Sequence, residues 1–108
     1  MGAGNAIEQV AGILTLRNCQ VPDDIDLSTA NCDLAIYHSD IRGDINASGA
    51  LLAHAIWVES CYLHNHNINV TATGATTCTV ANSTYLDQIT NAGTGAFTIN
   101  GTSVSRIN

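Results

Sequence analysis

Residues 14–21 read LTLRNCQV, and this pattern of apolar, any, apolar, any, polar, small, any, apolar returns four more times. The further copies are LAIYHSDI at 34–41, IWVESCYL at 56–63, CTVANSTY at 78–85 and FTINGTSV at 97–104. The first positions of successive copies lie 20, 22, 22 and 19 residues apart. A repeat of this length is typical of stacked supersecondary units and not of a domain with one closed core. The sequence therefore predicts an all-β solenoid, a parallel β-helix of about five coils of 19–22 residues.

The first and third residues of each copy are apolar, which is the alternation of a strand with one buried face. Coils that stack at the ordinary strand spacing of about 4.8 Å bring equivalent residues into columns along the solenoid axis. Two columns are predicted to face inward: Leu14, Leu34, Ile56, Cys78 and Phe97, and beside them Leu16, Ile36, Val58, Val80 and Ile99. Strands this short bury an apolar face only by stacking on other coils.

Each strand is followed by a residue suited to a turn and then by a small one. The turn column consists of Asn18, His38, Ser60, Asn82 and Gly101. Asn, Ser and Gly bond to nearby backbone or tolerate left-handed conformations. The next column is small throughout, as expected just past a sharp bend: Cys19, Ser39, Cys61, Ser83 and Thr102. We therefore expect the chain to bend at the same place in every coil.

Short strands joined by an Asn-containing turn resemble the coils of the right-handed parallel β-helix family, whose members include polysaccharide lyases and viral tailspikes. The resemblance covers about residues 13–107. It implies an architecture, but this fold hosts lyases, hydrolases, adhesins and spikes, so it leaves the function open. A single-chain β-helix and an intertwined trimer share the same inward columns, and both stay open.

The 108 residues are expected to form one domain. We expect an N-terminal cap or linker over residues 1–12 and a β-helix over residues 13–108. Natural solenoids cover the sheet edges at their ends, and apolar residues between positions 6 and 11 would give a short capping helix its buried face. No comparable segment follows Val104, which favours a piece of a larger protein or a subunit whose end a partner covers.

The negative net charge limits the classes of partner that the protein is expected to bind. The chain has three arginines, no lysine and nine carboxylates, so its net charge is −6. This balance disfavours nucleic acids and anionic membranes. No stretch approaches the ~20 apolar residues of a membrane span, and the N-terminus lacks the features of a signal peptide. We therefore expect neither nucleic-acid binding nor membrane insertion, whereas the Thr-, Asn- and Ser-rich composition suits contact with sugars or with other subunits.

The four cysteines are predicted to be free thiols. Cys19 and Cys61 share a column but lie two coils apart, about 9.6 Å at the strand spacing, which exceeds the reach of a disulfide. Cys32 and Cys78 belong to different columns. Buried thiols that act as small apolar side chains favour folding in a reducing compartment, such as the cell in which a virus assembles.

The sharpest local motif is His64-Asn65-His66, in which two histidines would face one side of an extended segment. In a trimer, the copies of this motif would bring a ring of imidazoles to the axis, so His64 and His66 are the candidate metal ligands. The neighbouring sequence contains no Asp, Glu or Cys that would complete a site within one chain, and the alternative is a solvated loop. We expect no cofactor.

Glycoside hydrolysis requires two carboxylates about 5 to 10 Å apart on a groove. Asp26 would project outward, but its predicted column contains no second acid: Asp26, Asn46, Asn69 and Thr90. Asp40 and Asp44, near Arg42, are the other candidates. Lyases of the β-helix family use lysine or arginine as base and often calcium, and a chain without lysine departs from that pattern. We therefore predict no catalytic residues.

Three aromatic residues predicted to point outward, Trp57, Tyr37 and Tyr62, are the candidate ligand-binding residues. Trp57 would stand in a flat column of otherwise small residues: Thr15, Ala35, Trp57, Thr79 and Thr98. An exposed tryptophan on such a face is a platform for a sugar ring or for a partner subunit. The alternative is that a loop covers Trp57.

One functional hypothesis joins these observations. We expect a structural and attachment module of a viral spike or fibre, similar to tailspike domains and to surface proteins of large DNA viruses, on the virion surface. We expect a homotrimer, since association stabilises a short stack, and binding of a host cell-surface glycan without cleavage. The alternative is a fragment of a polysaccharide-degrading enzyme, a lyase or hydrolase, although the observations weigh against an enzyme.

Overall fold

The computed structural model describes residues 5–9, 12–27, 32–49, 52–102 and 104–107. Across these ranges the chain forms thirteen β-strands and no helix. The strands pair in parallel and build two sheets, called here sheet A and sheet B. The predicted all-β fold is confirmed, and it is a β-solenoid of about four turns.

The chain passes alternately through the two sheets as it winds, and in two coils its segment of sheet A is divided into two strands. In chain order they are β1 (Asn5–Gln9), β2 (Gly12–Arg17), β3 (Gln20–Val21), β4 (Asp24–Leu27), β5 (Cys32–Tyr37), β6 (Asp40–Ile41), β7 (Ile45–Ala47), β8 (Ala55–Glu59), β9 (Tyr62–Val70), β10 (Thr77–Ala81), β11 (Thr84–Asn91), β12 (Phe97–Asn100) and β13 (Val104–Ile107). Sheet B has the order β12-β10-β8-β5-β2, and sheet A has the order β1-β4-β7-β9-β11-β13, with β3 and β6 pairing alongside. Each sheet therefore receives its strands from successive coils.

The two inward columns of sheet B lie where the sequence predicts them. The register joins Leu34 to Ile56 and Ile36 to Val58, and the same columns continue through every strand of the sheet. These four residues are at most 3% exposed, and full burial of such a side chain stabilises the fold by about 1.5–3 kcal/mol. In the terminal coils the corresponding residues are only half-buried: Leu14, Leu16, Phe97 and Ile99.

Every coil bends at the predicted turn column, and all five residues of that column have a left-handed backbone. Their φ angles are 54° at Asn18, 50° at His38, 55° at Ser60, 50° at Asn82 and 61° at Gly101. The backbone ladder runs through the bend. The N–H of each of the first four donates to the carbonyl just before the turn in the next coil, at 2.8–3.1 Å.

The small column past the bend makes hydrogen bonds that need a short side chain. Ser39 Oγ accepts from the Cys19 N–H at 3.1 Å and donates to the Tyr37 carbonyl at 2.8 Å. Ser83 Oγ accepts from the Cys61 N–H at 3.1 Å and donates to the carbonyl two residues earlier at 3.1 Å. A short hydroxyl thus ties consecutive coils together at the bend.

The predicted N-terminal capping helix is wrong for residues 5–9. They form strand β1, which pairs in parallel with β4 and brings Ile7 into register with Ile25. A strand pairs the N–H and C=O groups along the edge of β4, which a helix would leave unpaired. Residues 1–4 and 10–11 of the predicted cap lie outside the described residues, and its boundary with the β-helix stays a prediction.

A buried histidine, His54, makes hydrogen bonds to neighbouring coils just before β8 begins. His54 is 2% exposed, and its Nδ1 accepts from the Cys32 N–H at 3.2 Å. Because an amide N–H only donates, the ring proton lies on Nε2, which donates to the Ser48 carbonyl at 3.0 Å. The His54 N–H donates to Oγ1 of the buried Thr76 at 3.1 Å. Sequence analysis missed this residue, which joins three coils.

The four cysteines are free, as predicted, and all except the half-buried Cys19 are buried. Desolvation by burial raises the pKa of the Cys61 thiol and raises the pKa of the Cys78 thiol to about 12. A thiol with a raised pKa stays protonated and packs as a small apolar side chain.

Candidate functional site

Trp57 stands on the outward face of sheet B, in the predicted column. It lies in register between Ala35 of β5 and Thr79 of β10. Its residue surface is 42% exposed, so the ring is open to solvent and not enclosed by a loop. The indole Nε1–H donates to Glu59 Oε1 at 3.0 Å. A flat aromatic surface is therefore presented between short neighbours, with its polar atom already bonded.

A shallow depression of about 320 Å³ lies beside Trp57. Its lining includes the adjacent outward column of sheet B, which runs Ile13, Asp33, Ala55, Thr77. Short side chains of the lining, among them Ala35 and Ala55, stand next to the Trp57 ring. Ile13, at the end of this column, is 77% exposed.

Tyr37 lies on the same outward face as Trp57, one coil earlier, in register with Glu59. The Arg17 guanidinium lies 4.3 Å from the centre of the Tyr37 ring, the geometry of a cation–π contact. Tyr37 is half-buried. The structure thus brings two of the three candidate aromatic residues to one face, but Tyr37 already has a cationic partner.

Tyr62, the third candidate, belongs to sheet A and is not brought together with Trp57. Its ring stacks on His64, with centroids 4.0 Å apart and planes 23° apart. Tyr85 of the next coil lies 5.2 Å away with planes at 33°. Tyr62 and Tyr85 are 45% and 56% exposed, and Tyr85 has a left-handed φ of 58°. Sequence analysis missed Tyr85, because it occupies the last position of the repeat, where the equivalent Ile41 and Leu63 are buried.

Each histidine of the 64–66 motif is paired with an aspartate from the preceding coil. His64 Nε2 bonds to the Asp40 carboxylate, and His66 Nδ1 bonds to Asp44 Oδ1 at 3.2 Å. Sequence analysis considered only the neighbouring residues of the motif, and these two acids come from a different coil. The acids are 22 and 24 residues away in sequence, which is about one coil, so stacking places them beside the motif.

A metal site at the histidine motif would need ligands from more than one chain. Among the described residues, no group of three or more His, Cys, Asp or Glu side chains is arranged to hold a metal ion. His64 and Asn65 have left-handed φ angles of 48° and 61°, which interrupt the extended alternation assumed for the motif. The trimeric site suggested for His64 and His66 stays a prediction.

Asp44 is the centre of a hydrogen-bond network on sheet A. Its Oδ1 accepts from the Asn67 N–H at 2.9 Å as well as from His66, and its Oδ2 accepts from Asn69 Nδ2 at 3.5 Å. The Asp44 N–H donates to Asp24 Oδ1 at 2.7 Å. Asp44 thereby joins polar groups of three coils, because its carboxylate bonds to the following coil and its N–H to the preceding one.

Asp40 is the second acid of this face, and its surroundings favour the ionised form. Arg42 Nη2 lies 3.3 Å from Asp40 Oδ2, and His64 bonds to the other oxygen. Desolvation raises the pKa of the Asp40 carboxyl, but the hydrogen bonds and charges of His64 and Arg42 outweigh it and hold the pKa below its ordinary value. Because these side chains are substantially exposed, the ion pairs add little stability.

Asp26 has the column neighbours that the sequence predicts, Asn46, Asn69 and Thr90. In the other direction, however, strand β1 places Glu8 in register with Asp26. The expectation of no second acid in this column is therefore wrong. The reason is that residues 5–9 join sheet A as a strand.

The surfaces on the two sheets could do different chemistry. The open indole of sheet B suits stacking on a flat apolar ring face, whereas Asp40 and Asp44 are already bonded to His64 and His66. No helix in the described part of the chain is long and apolar enough to cross a membrane. Comparison of the chain with protein-family models, with curated proteins and with solved structures gives no match.

Proposed function

We propose that the protein is a structural and attachment module that binds a cell-surface glycan without cleaving it, with Trp57 at the centre of the binding surface. The observation that carries the proposal is the exposed indole, held by its hydrogen bond to Glu59. One face of a sugar ring presents C–H groups that pack on an aromatic face, while its hydroxyls bond to polar neighbours. Thr79, next to Trp57 in register, supplies such a hydroxyl.

The rigidity of the scaffold supports this role. Strand β8, which carries Trp57, is paired on both edges, with β5 and with β10. The neighbouring side chains in the column, Ala35 and Thr79, are short and lose little freedom when a ligand binds. A surface that is ordered before binding avoids much of the entropic cost of association.

The acids near Trp57 support binding over hydrolysis. A glycoside hydrolase needs two carboxylates that flank the scissile bond, one of them acting as acid. Glu59 bonds to the indole N–H, and Asp33 is the one carboxylate among the described residues that line the depression. The proposal therefore assigns no catalytic residue.

The proposal includes a homotrimeric spike or fibre of a virus, exposed on the virion surface, in keeping with the β-helix resemblance of the sequence. The half-buried inner residues of the terminal coils, such as Leu16 and Ile99, support association, because a covering subunit would bury more of their apolar surface. Several copies of one weak site also raise the overall avidity.

Glycan binding by Trp57→Ala tests the proposal. We expect the wild-type protein to bind a subset of a mammalian and bacterial glycan array, and Trp57→Ala to lose at least about tenfold in affinity with an unchanged melting temperature. Tyr62→Ala is the matched control, since it removes an exposed ring from sheet A. Equal binding by Trp57→Ala and wild type would contradict the proposal.

A polysaccharide-degrading enzyme is the second candidate, and the two histidine–aspartate pairs on sheet A are the observation in its favour. A carboxylate that orients a histidine is part of several hydrolytic sites. A reducing-sugar assay on neutral and acidic polysaccharides distinguishes the two candidates. We expect no product, whereas turnover that disappears in Asp40→Asn or Asp44→Asn would establish the enzyme.

A further inference from the structure

We infer that the Trp57 surface selects glycans that are neutral or carry amino groups, and discriminates against glycans that carry carboxylate or sulfate groups. This inference rests on the proposed function and adds the ligand class. It follows from the distribution of charge on the outward face of sheet B.

Two carboxylates stand at the Trp57 surface. Glu59 bonds directly to the indole nitrogen at 3.0 Å, and Asp33 lines the adjacent depression. A ligand that stacks on the indole must therefore place its substituents close to negative charge.

Compensating positive charge is scarce on this face. In the described strands of sheet B, Arg17 is the one cationic residue, and its guanidinium lies over the Tyr37 ring. Of the other two arginines of the chain, Arg42 pairs with Asp40 on sheet A, and Arg106 belongs to strand β13 of sheet A. The net charge of −6 gives the whole molecule the same sign.

The remaining groups of the depression suit uncharged sugars. Ala55 and Thr77 line it, and Thr79 adds a second hydroxyl next to the ring. Threonine hydroxyls both donate and accept hydrogen bonds, as sugar hydroxyls do. In water, contact between two unit charges changes an affinity by about fivefold, so two carboxylates are enough to set a preference.

Three β-1,4-linked tetrasaccharides with the same backbone test the inference: those of glucose, of glucosamine and of glucuronate. We expect isothermal titration at low salt to give the order glucosamine, glucose, glucuronate, with the last about fivefold to tenfold weaker than glucose. The change in fluorescence of Trp57, the one tryptophan of the chain, gives an independent measurement of each affinity. High salt should reduce the differences, since it screens exposed charges.

Two double variants separate local charge from net charge. Asp33→Asn with Glu59→Gln keeps both shapes and an acceptor for the indole, and should bring the three affinities within about twofold of one another. Asp26→Asn with Asp40→Asn removes the same charge from sheet A and should preserve the order.

The outcomes distinguish failure of the inference from failure of the proposed function. Glucuronate binding that equals glucose binding and requires Trp57 would overturn the inference and leave glycan binding standing. An order that persists in the Asp33 and Glu59 double variant would overturn it as well. Binding of none of the three at millimolar concentration, or equal binding by Trp57→Ala, would overturn the proposed function itself.

Discussion

The outward faces of sheets A and B differ in what their side chains bond to. On sheet A, polar side chains bond to one another between coils, as His66 and Asn69 do with Asp44. On sheet B, the outward neighbours of Trp57 in its column are short, and the ring stands open. The comparison indicates that the polar atoms of sheet A stabilise the stack, whereas sheet B presents a surface to a ligand.

The largest effect on stability from an outward residue is expected at Asp44 on sheet A. Asp44→Ala removes the acceptor for His66, Asn67 and Asn69, and the free energy of unfolding should fall by about 1–3 kcal/mol. Asp44→Asn keeps an oxygen acceptor and should cost less. Urea denaturation measures both, and an unchanged midpoint for Asp44→Ala would remove the distinction between the faces.

Ser83 sharpens the comparison, because it lies at the bend between the two sheets. It is 2% exposed and makes hydrogen bonds as acceptor and donor. Ser83→Ala leaves the Cys61 N–H without its acceptor, so we expect a loss of about 1–2 kcal/mol in unfolding free energy. Thr84→Ala, at an exposed neighbouring position, is the control and should change stability by less than about 0.5 kcal/mol.

Trp57 should behave in the opposite way to Asp44. Because its ring is exposed, Trp57→Ala should change the free energy of unfolding by no more than about 0.5 kcal/mol while removing glycan binding. Denaturation and glycan titration of the same preparations give both readings. A large loss of stability in Trp57→Ala would mean that sheet B is also a structural face.

The smallest effect concerns the ionisation of Asp40. Desolvation raises its pKa, but the larger opposing effects of His64 and Arg42 hold the pKa below its ordinary value. Stabilisation from a lowered carboxyl pKa is present above the ordinary pKa and is lost as the pH falls through the lowered value. NMR titration of the Asp40 side chain should give a midpoint below that of an ordinary aspartate, and the midpoint should rise in His64→Gln. A midpoint that does not move would show that His64 has no influence.

The columns of sheet B could be predicted because alternation and period act together. Leu34, Ile56 and their equivalents repeat at near-constant spacing, and a one-residue slip would expose every apolar side chain. The turn column could also be predicted, since residues such as Asn18 and Gly101 readily adopt a left-handed backbone conformation. These features depend on residue type and spacing alone.

The pairing of His64 with Asp40 could not be predicted in the same way. Two left-handed residues, His64 and Asn65, interrupt strand β9 and shift its register against β11. On the other edge of β9, Asp40 pairs with Tyr62, so His64, two residues further along, is 24 residues from Asp40 and beyond the repeat of 19 to 22 residues. Strand β1 was missed for another reason: residues 5–9 lack the repeat pattern and join the sheet through backbone pairing.

Mapping the bound glycan by amide chemical shifts tests the central claim most directly. The protein would be labelled with ¹⁵N and titrated with the glucose and glucosamine tetrasaccharides. The account predicts that the largest shifts fall on β5, β8 and β10 around Trp57, together with its indole N–H. Shifts that cluster at Tyr62, His64 and Asp40 on sheet A would contradict it.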